Sequence, residues 1–134
     1  AGAAGAQGAI LGYQVGSSTY TAAKGMRQRA QQKRDAQVAE RAQLGQAYNN
    51  YVHAQGLEND PTAARLEFNR VARDVLNGKD VNSFATEDQQ LAQSLAQFKN
   101  TFEQMGTSQK NIAKDMERTV TRMQELQARQ NNNP

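Results

Sequence analysis

The chain has 134 residues, of which 37% are hydrophobic and 6% aromatic, with a mean hydropathy of −0.86. That is length for one domain, but the large apolar residues are too sparse for a thick globular core, and the composition instead suits long helices that bury a narrow seam. The lack of cysteine excludes disulfides, zinc–thiolate sites and thiol nucleophiles, and a net charge of +3 is too small to specify a nucleic-acid partner by itself.

Residues 1–23 carry no charge, and five of the ten glycines fall within the first 16 residues. Gly5, Gly8, Gly12 and Gly16 share one face of a helix, because residues three and four apart are neighbours. A face without side chains lets another backbone approach closely, as in helices that pack inside membranes. Gln7, Gln14, Ser18 and Thr21 fall roughly opposite, the arrangement expected of a helix that lines a wet channel while packing against copies of itself. Three readings stay open for this stretch: a membrane or self-packing helix, tight packing in a soluble protein, and a poorly ordered leader. About 20 residues cross a bilayer core, so the length allows a span. Only Ile10, Leu11 and Val15 are large aliphatics, which argues against one. The stretch is no ordinary secretory signal, since its basic cluster follows the apolar part. The chain starts without methionine, so the residue was removed or the sequence begins inside a longer chain.

A first long helix is expected from Ser17 or Ser18 to Gln55, with Gly25 and Gly45 weakening it without ending it. Its early part is basic: Lys24, Arg27, Arg29, Lys33, Arg34 and Arg41 stand against Asp35 and Glu40. Lys24, Arg27, Arg29, Lys33 and Arg34 are the candidates for contact with anionic headgroups or DNA phosphates, beside the plainer reading of a solvated face. The late part presents Leu44, Ala47, Tyr48 and Tyr51, with Val52 beside them, and Gly56 is placed to cap the end.

Asn59, Asp60 and Pro61 restart the chain as a helix. Asp60 caps and Pro61 takes the first helical position. The helix to Asn77 buries Ala64, Phe68, Val71 and Val75. Val81 and Phe84 anchor a short connection. Thr86 is read as the next cap, with Gln89 completing a capping box and Glu87 and Asp88 supplying charge favourable at a helix start.

The last helix is predicted to run from Glu87 to Ala128. Leu91, Leu95, Phe98, Phe102, Met105, Gln109, Ile112, Met116, Thr119, Met123 and Leu126 alternate four and three apart, a heptad seam. Gln109 and Thr119 are its two polar members, and Gly106 is a mild hinge. The fold expected is therefore all-α: long, elongated helices, with 57–130 forming a heptad-patterned hairpin or bundle that associates into homo-oligomers. Residues 131–134 read as a tail.

No catalytic constellation is visible. His53 is the lone histidine and lacks partners at catalytic spacing. Asp115 and Glu117 read as a solvated face. No phosphate loop, dinucleotide fingerprint or set of metal ligands occurs, so the reading is of a protein that is no enzyme, with no cofactor, no metal and no small-molecule substrate.

The succession of an Ala/Gly-rich start (Ala1 to Gly16), a Gln/Ala/Arg-rich helix (Ala22 to Gln46) and methionine-containing heptads (Leu91 to Leu126) resembles the internal virion proteins of short-tailed bacteriophages, the DNA-ejection proteins. The resemblance is one of style over most of the chain. It implies a protein stored inside the virion, released at infection, and assembled with copies of itself and other ejection proteins into a channel across the host cell envelope for genome delivery. In that family the small member inserts in the outer membrane. By the resemblance Gly8, Gly12 and Gly16 pack subunits, Gln7 and Gln14 face the lumen, and passing DNA and the host membrane are the other partners. The alternative is a soluble coiled-coil adaptor or assembly protein of a virion or secretion machine, binding a partner helix through the 91–126 seam. A third reading is a DNA-binding or DNA-packaging helical protein acting through residues 24–41.

Overall fold

The computed structural model describes the backbone of residues 18–132 and the packing of residue 25 and residues 27–130. Among the described residues the architecture is all-α: α1 is Ser18–Ala54, α2 Pro61–Leu76, α3 Thr86–Gln104 and α4 Gln109–Asn132, with a 3-10 turn at Val81–Ser83 and no strand. The chain divides into two units between Asp35 and Ala36, and the second holds the bundle.

Within the first unit, Arg27 and residues 29–35 are all exposed, and Gln31 donates to Asp35 at 3.0 Å. Residues such as Ala, Arg and Gln favour helix without tertiary help, which suits a segment with so little apolar surface. Val38, the one larger aliphatic between Arg27 and Arg41, is 61% exposed.

In the second unit the apolar faces expected of α1 and α2 are buried. Leu44, Tyr48 and Val52 meet Phe68, Val71 and Val75 in one core with Leu91, Leu95, Phe98 and Phe102. Tyr48 packs edge-on against Phe68 at 5.8 Å, and Phe98 stacks on Phe102 at 4.3 Å. Asp60 accepts from the Ala63 amide at 3.1 Å and Pro61 opens α2, as its sequence predicts. Gly45 lies buried against α4, where a Cβ would stand 2.9 Å from the Met123 sulfur. The backbones of α2, α3 and α4 approach one another closely.

The last helix is the main correction. It is two helices, because Gly106 adopts φ +84° and turns the chain between Gln104 and Gln109. The Thr107 amide reaches back to the Phe102 carbonyl at 3.0 Å and the Gly106 amide to that of Glu103 at 2.9 Å. This left-handed glycine cap satisfies carbonyls that the helix end would leave unpaired, and Gly78 ends α2 in the same way. Residues 57–130 thus form three helices and a 3-10 turn, not two helices in a hairpin. The eleven-residue seam is divided accordingly. Leu91, Leu95, Phe98 and Phe102 are buried on α3, and Ile112 and Met116 on α4. Met105 and Met123 are half-buried, and Gln109 is exposed. Past Thr119, Val120 takes the fully buried position, and Leu126 is left 39% exposed.

The start of α3 also differs. Ala85 occupies the cap position with no side-chain cap bond, Thr86 is the first helical residue, and the Gln89 amide donates to the Phe84 carbonyl at 3.3 Å. The capping box read from Thr86 and Gln89 is not formed.

Candidate functional site

Three polar clasps tie the later part of α1 to the other helices of the second unit. At Glu40, which is 9% exposed, the carboxylate accepts from the Thr101 hydroxyl at 2.9 Å and from the Gln97 amide at 3.3 Å. At Arg41 the guanidinium forks onto both oxygens of Asp115 at 2.8 Å, with Phe102 5.8 Å below the cation. This two-pronged, charge-assisted bond holds the Arg41 proton more tightly than usual.

The third clasp sits deepest. The Tyr51 hydroxyl donates to Asp88 at 3.0 Å, and Arg70 bridges Asp88 at 3.1 Å and Glu67 at 2.8 Å. Asp88 is 4% exposed, so its charge is viable only because donors from α1 and α2 surround it. Burial, followed by the Asp88 bond, pushes the Tyr51 hydroxyl well above the ordinary tyrosine range. The Arg70 proton is held more tightly too, first by its bond to Glu67. Beside this clasp the Gln124 amide donates to the Tyr48 hydroxyl and to the Pro61 carbonyl, both at 2.9 Å, and the buried side-chain polar atoms of the described residues are all satisfied.

These groups are structural in placement. Asp88, read as helix-start charge, is a buried acceptor, and Asp115, read as a solvated face, is the partner of Arg41. The missing signal lay in long-range pairing: 37 positions separate Tyr51 from Asp88 and 74 separate Arg41 from Asp115. His53 is exposed and faces Glu58 at 3.2 Å. Among the described residues no group of three or more His, Asp or Glu is placed to hold a metal ion, and no helix is long and apolar enough to cross a membrane.

The candidate residues lie apart in the chain. Gly5, Gly8, Gly12, Gly16, Gln7 and Gln14 fall outside the described residues, as do the side chains of Ser18, Thr21 and Lys24. Arg27, Arg29, Lys33 and Arg34 are exposed on α1. The seam residues are spent largely inside the bundle. Sequence periodicity singled out none of the surface grooves. One of about 390 Å³ is lined by Arg65, Lys114, Arg118 and Arg122 with Glu117, Thr121 and Glu125. A second, of about 330 Å³, runs between α2 and α4 past Arg73 and Lys110. A third, of about 420 Å³, lies between Arg41 and Ala42 on α1 and Asp115, Arg118, Thr119, Arg122 and Met123 on α4, so Arg118 and Arg122 border two grooves.

Compared with family models, curated proteins and solved structures, the chain matches none.

Proposed function

We propose that this chain is a non-catalytic structural component of a phage DNA-ejection apparatus. It acts with copies of itself and other ejection proteins to form a helical channel across the host envelope. The observation that carries the reading is the order of its parts. An uncharged small-residue stretch leads into a helix segment whose Arg27, Arg29, Lys33 and Arg34 are all exposed, and a folded helical module follows. Cations just outside an apolar stretch suit an anionic membrane surface. Glu40, Arg41, Arg70, Asp88 and Asp115 of the module are engaged in interhelix clasps, which suits a structural role.

The test is dye release from anionic liposomes by the full chain and by a chain starting at Lys24. Release that requires residues 1–23 is the expected outcome. No release by either chain, with the full chain remaining in solution, overturns the membrane part.

The adaptor reading has one observation in its favour: Leu126 at 39% exposure, the half-buried Met123 and Val38 at 61% stay accessible. A partner helix binding all of 91–126 would first have to displace α1 and α2 from Leu91, Phe98 and Met116, which are buried against the module's own core.

A further inference from the structure

Four of the eleven lysines and arginines in the second unit are spoken for. Arg41, Arg70, Lys79 and Lys99 each form an ion pair with an acid of the same unit. Of the other seven, all but Arg129 line the grooves on the α2/α4 side. Lys110, Lys114, Arg118 and Arg122 recur every four residues along α4, all exposed, and none has an ion-pair partner among the described residues. Arg65 and Arg73 join them from α2 across the two grooves between these helices. Arg65 donates only to the Gln124 amide oxygen and the Glu117 carbonyl, both at 3.5 Å, so its charge too is uncompensated. Glu117 and Glu125 are the acids that line the Arg65 groove. By contrast α3 carries Lys99 against Glu87, Asp88 and Glu103. Charge in the bundle is therefore segregated, with the positive excess on the α2/α4 side.

We infer that the α2/α4 face is a binding surface for the phosphate backbone of duplex nucleic acid. At 1.5 Å per residue the α4 cations rise by roughly 6 Å each and span about 18 Å, a row matched to a regularly charged polyanion. Arginine predominates in the groove, and its planar fork suits phosphate oxygens. The face lacks what a lipid surface needs: the apolar stripe of α4 is used internally by Ile112, Met116 and Val120, and the exposed Val38, Leu66 and Leu126 line neither groove. It also lacks an exposed aromatic on which an unpaired base can stack, which favours duplex over single strand. Recognition here is by backbone charge, without sequence preference. The residues of this surface are other than Arg27, Arg29, Lys33 and Arg34, and the inference goes beyond the ejection reading, since it is read out by duplex affinity and not by liposome release.

The experiment is titration of a short mixed-sequence duplex DNA with the full chain over a series of salt concentrations, with anionic vesicles as a parallel probe. Four phosphate contacts give a slope of log affinity against log salt of about −3.6, or roughly a hundredfold loss from 50 to 200 mM. The double variant R118Q/R122Q, both sites exposed, keeps the wild-type melting temperature, weakens binding, and makes the slope shallower by about 2. Lys114→Glu, a single reversal in the same groove, weakens binding in the same direction. A variant with Arg27, Arg29, Lys33 and Arg34 all changed to Gln retains the component that R118Q/R122Q removes. The inference is overturned if the α4 variants bind duplex as the wild type does, if the α1 variant alone abolishes binding, or if the chain binds vesicles and not duplex.

Discussion

The two halves of α1 are written in different chemical languages. Residues 27–35 are exposed in all but Gln28, with charge and amide side chains in place of apolar ones. Leu44, Ala47, Tyr48, Tyr51 and Val52, further along the same helix, are at most 6% exposed. The first half is helical because its residues favour helix locally. The second is helical because its stripe fits a core, and there tertiary packing outweighs the glycine at position 45. Equal helicity thus rests on unequal supports, and substitutions should separate them.

The widest separation comes from paired aliphatic truncations. Leu44→Ala removes a side chain that is fully buried and should lower the unfolding free energy by about 3 kcal/mol in denaturant melts. If that loss is instead trivial, the late half of α1 does not depend on its packing.

Asp88→Asn tests the polar side of the same support. Losing the charge that Tyr51 and Arg70 donate to should cost about 2 kcal/mol. The clasp also limits stability in alkali. The Tyr51 proton is held more tightly in the folded chain than in the unfolded one, so its contribution is complete below about pH 10 and declines as pH rises above that value. Tyr48 shifts in the same direction through burial. Urea midpoints should therefore fall above about pH 10, and Tyr51→Phe should flatten the fall. An equally steep decline in that variant would assign the alkaline limit elsewhere.

Glycine substitutions sharpen the contrast at about 1 kcal/mol. A Cβ at Gly25 meets nothing within 4 Å, so Gly25→Ala should add helicity worth about 1 kcal/mol, read by circular dichroism. Gly45→Ala should gain less, because the Met123 sulfur must move aside, and the same substitution measured against a Met123→Ala background should regain the full increment. Smallest of all, Val38→Ala at an exposed site should change stability by less than about 0.5 kcal/mol.

Periodicity made much of this fold legible. The faces of α1 and α2, the Asp60–Pro61 start and the glycine ends at Gly56 and Gly78 follow from local rules about spacing and backbone freedom. The break at Gly106 did not, because the four-three pattern runs through the turn: Phe102, Met105, Gln109 and Ile112 keep phase, and phase carries no information about whether the backbone continues straight. The polar clasps were illegible for another reason. A buried carboxylate and an exposed one look alike in sequence, and Asp88 is distinguished only by a tyrosine and an arginine brought from two other helices. The α2/α4 cations were missed because their significance lies in which acids fail to reach them.

The clasps have a geometric consequence for alignment. Glu40, Arg41 and Tyr51 extend over eleven positions, about 16 Å of α1 at 1.5 Å per residue. Aliphatic packing tolerates a slide of one helix along another, since one methyl group fits much like the next. A slide of one turn, about 5.4 Å, would part Arg41 from Asp115, Glu40 from Thr101 and Tyr51 from Asp88 together. It would leave several charges stranded at once. The module therefore admits a single register for its first helix, set by directional bonds spaced like the teeth of a key.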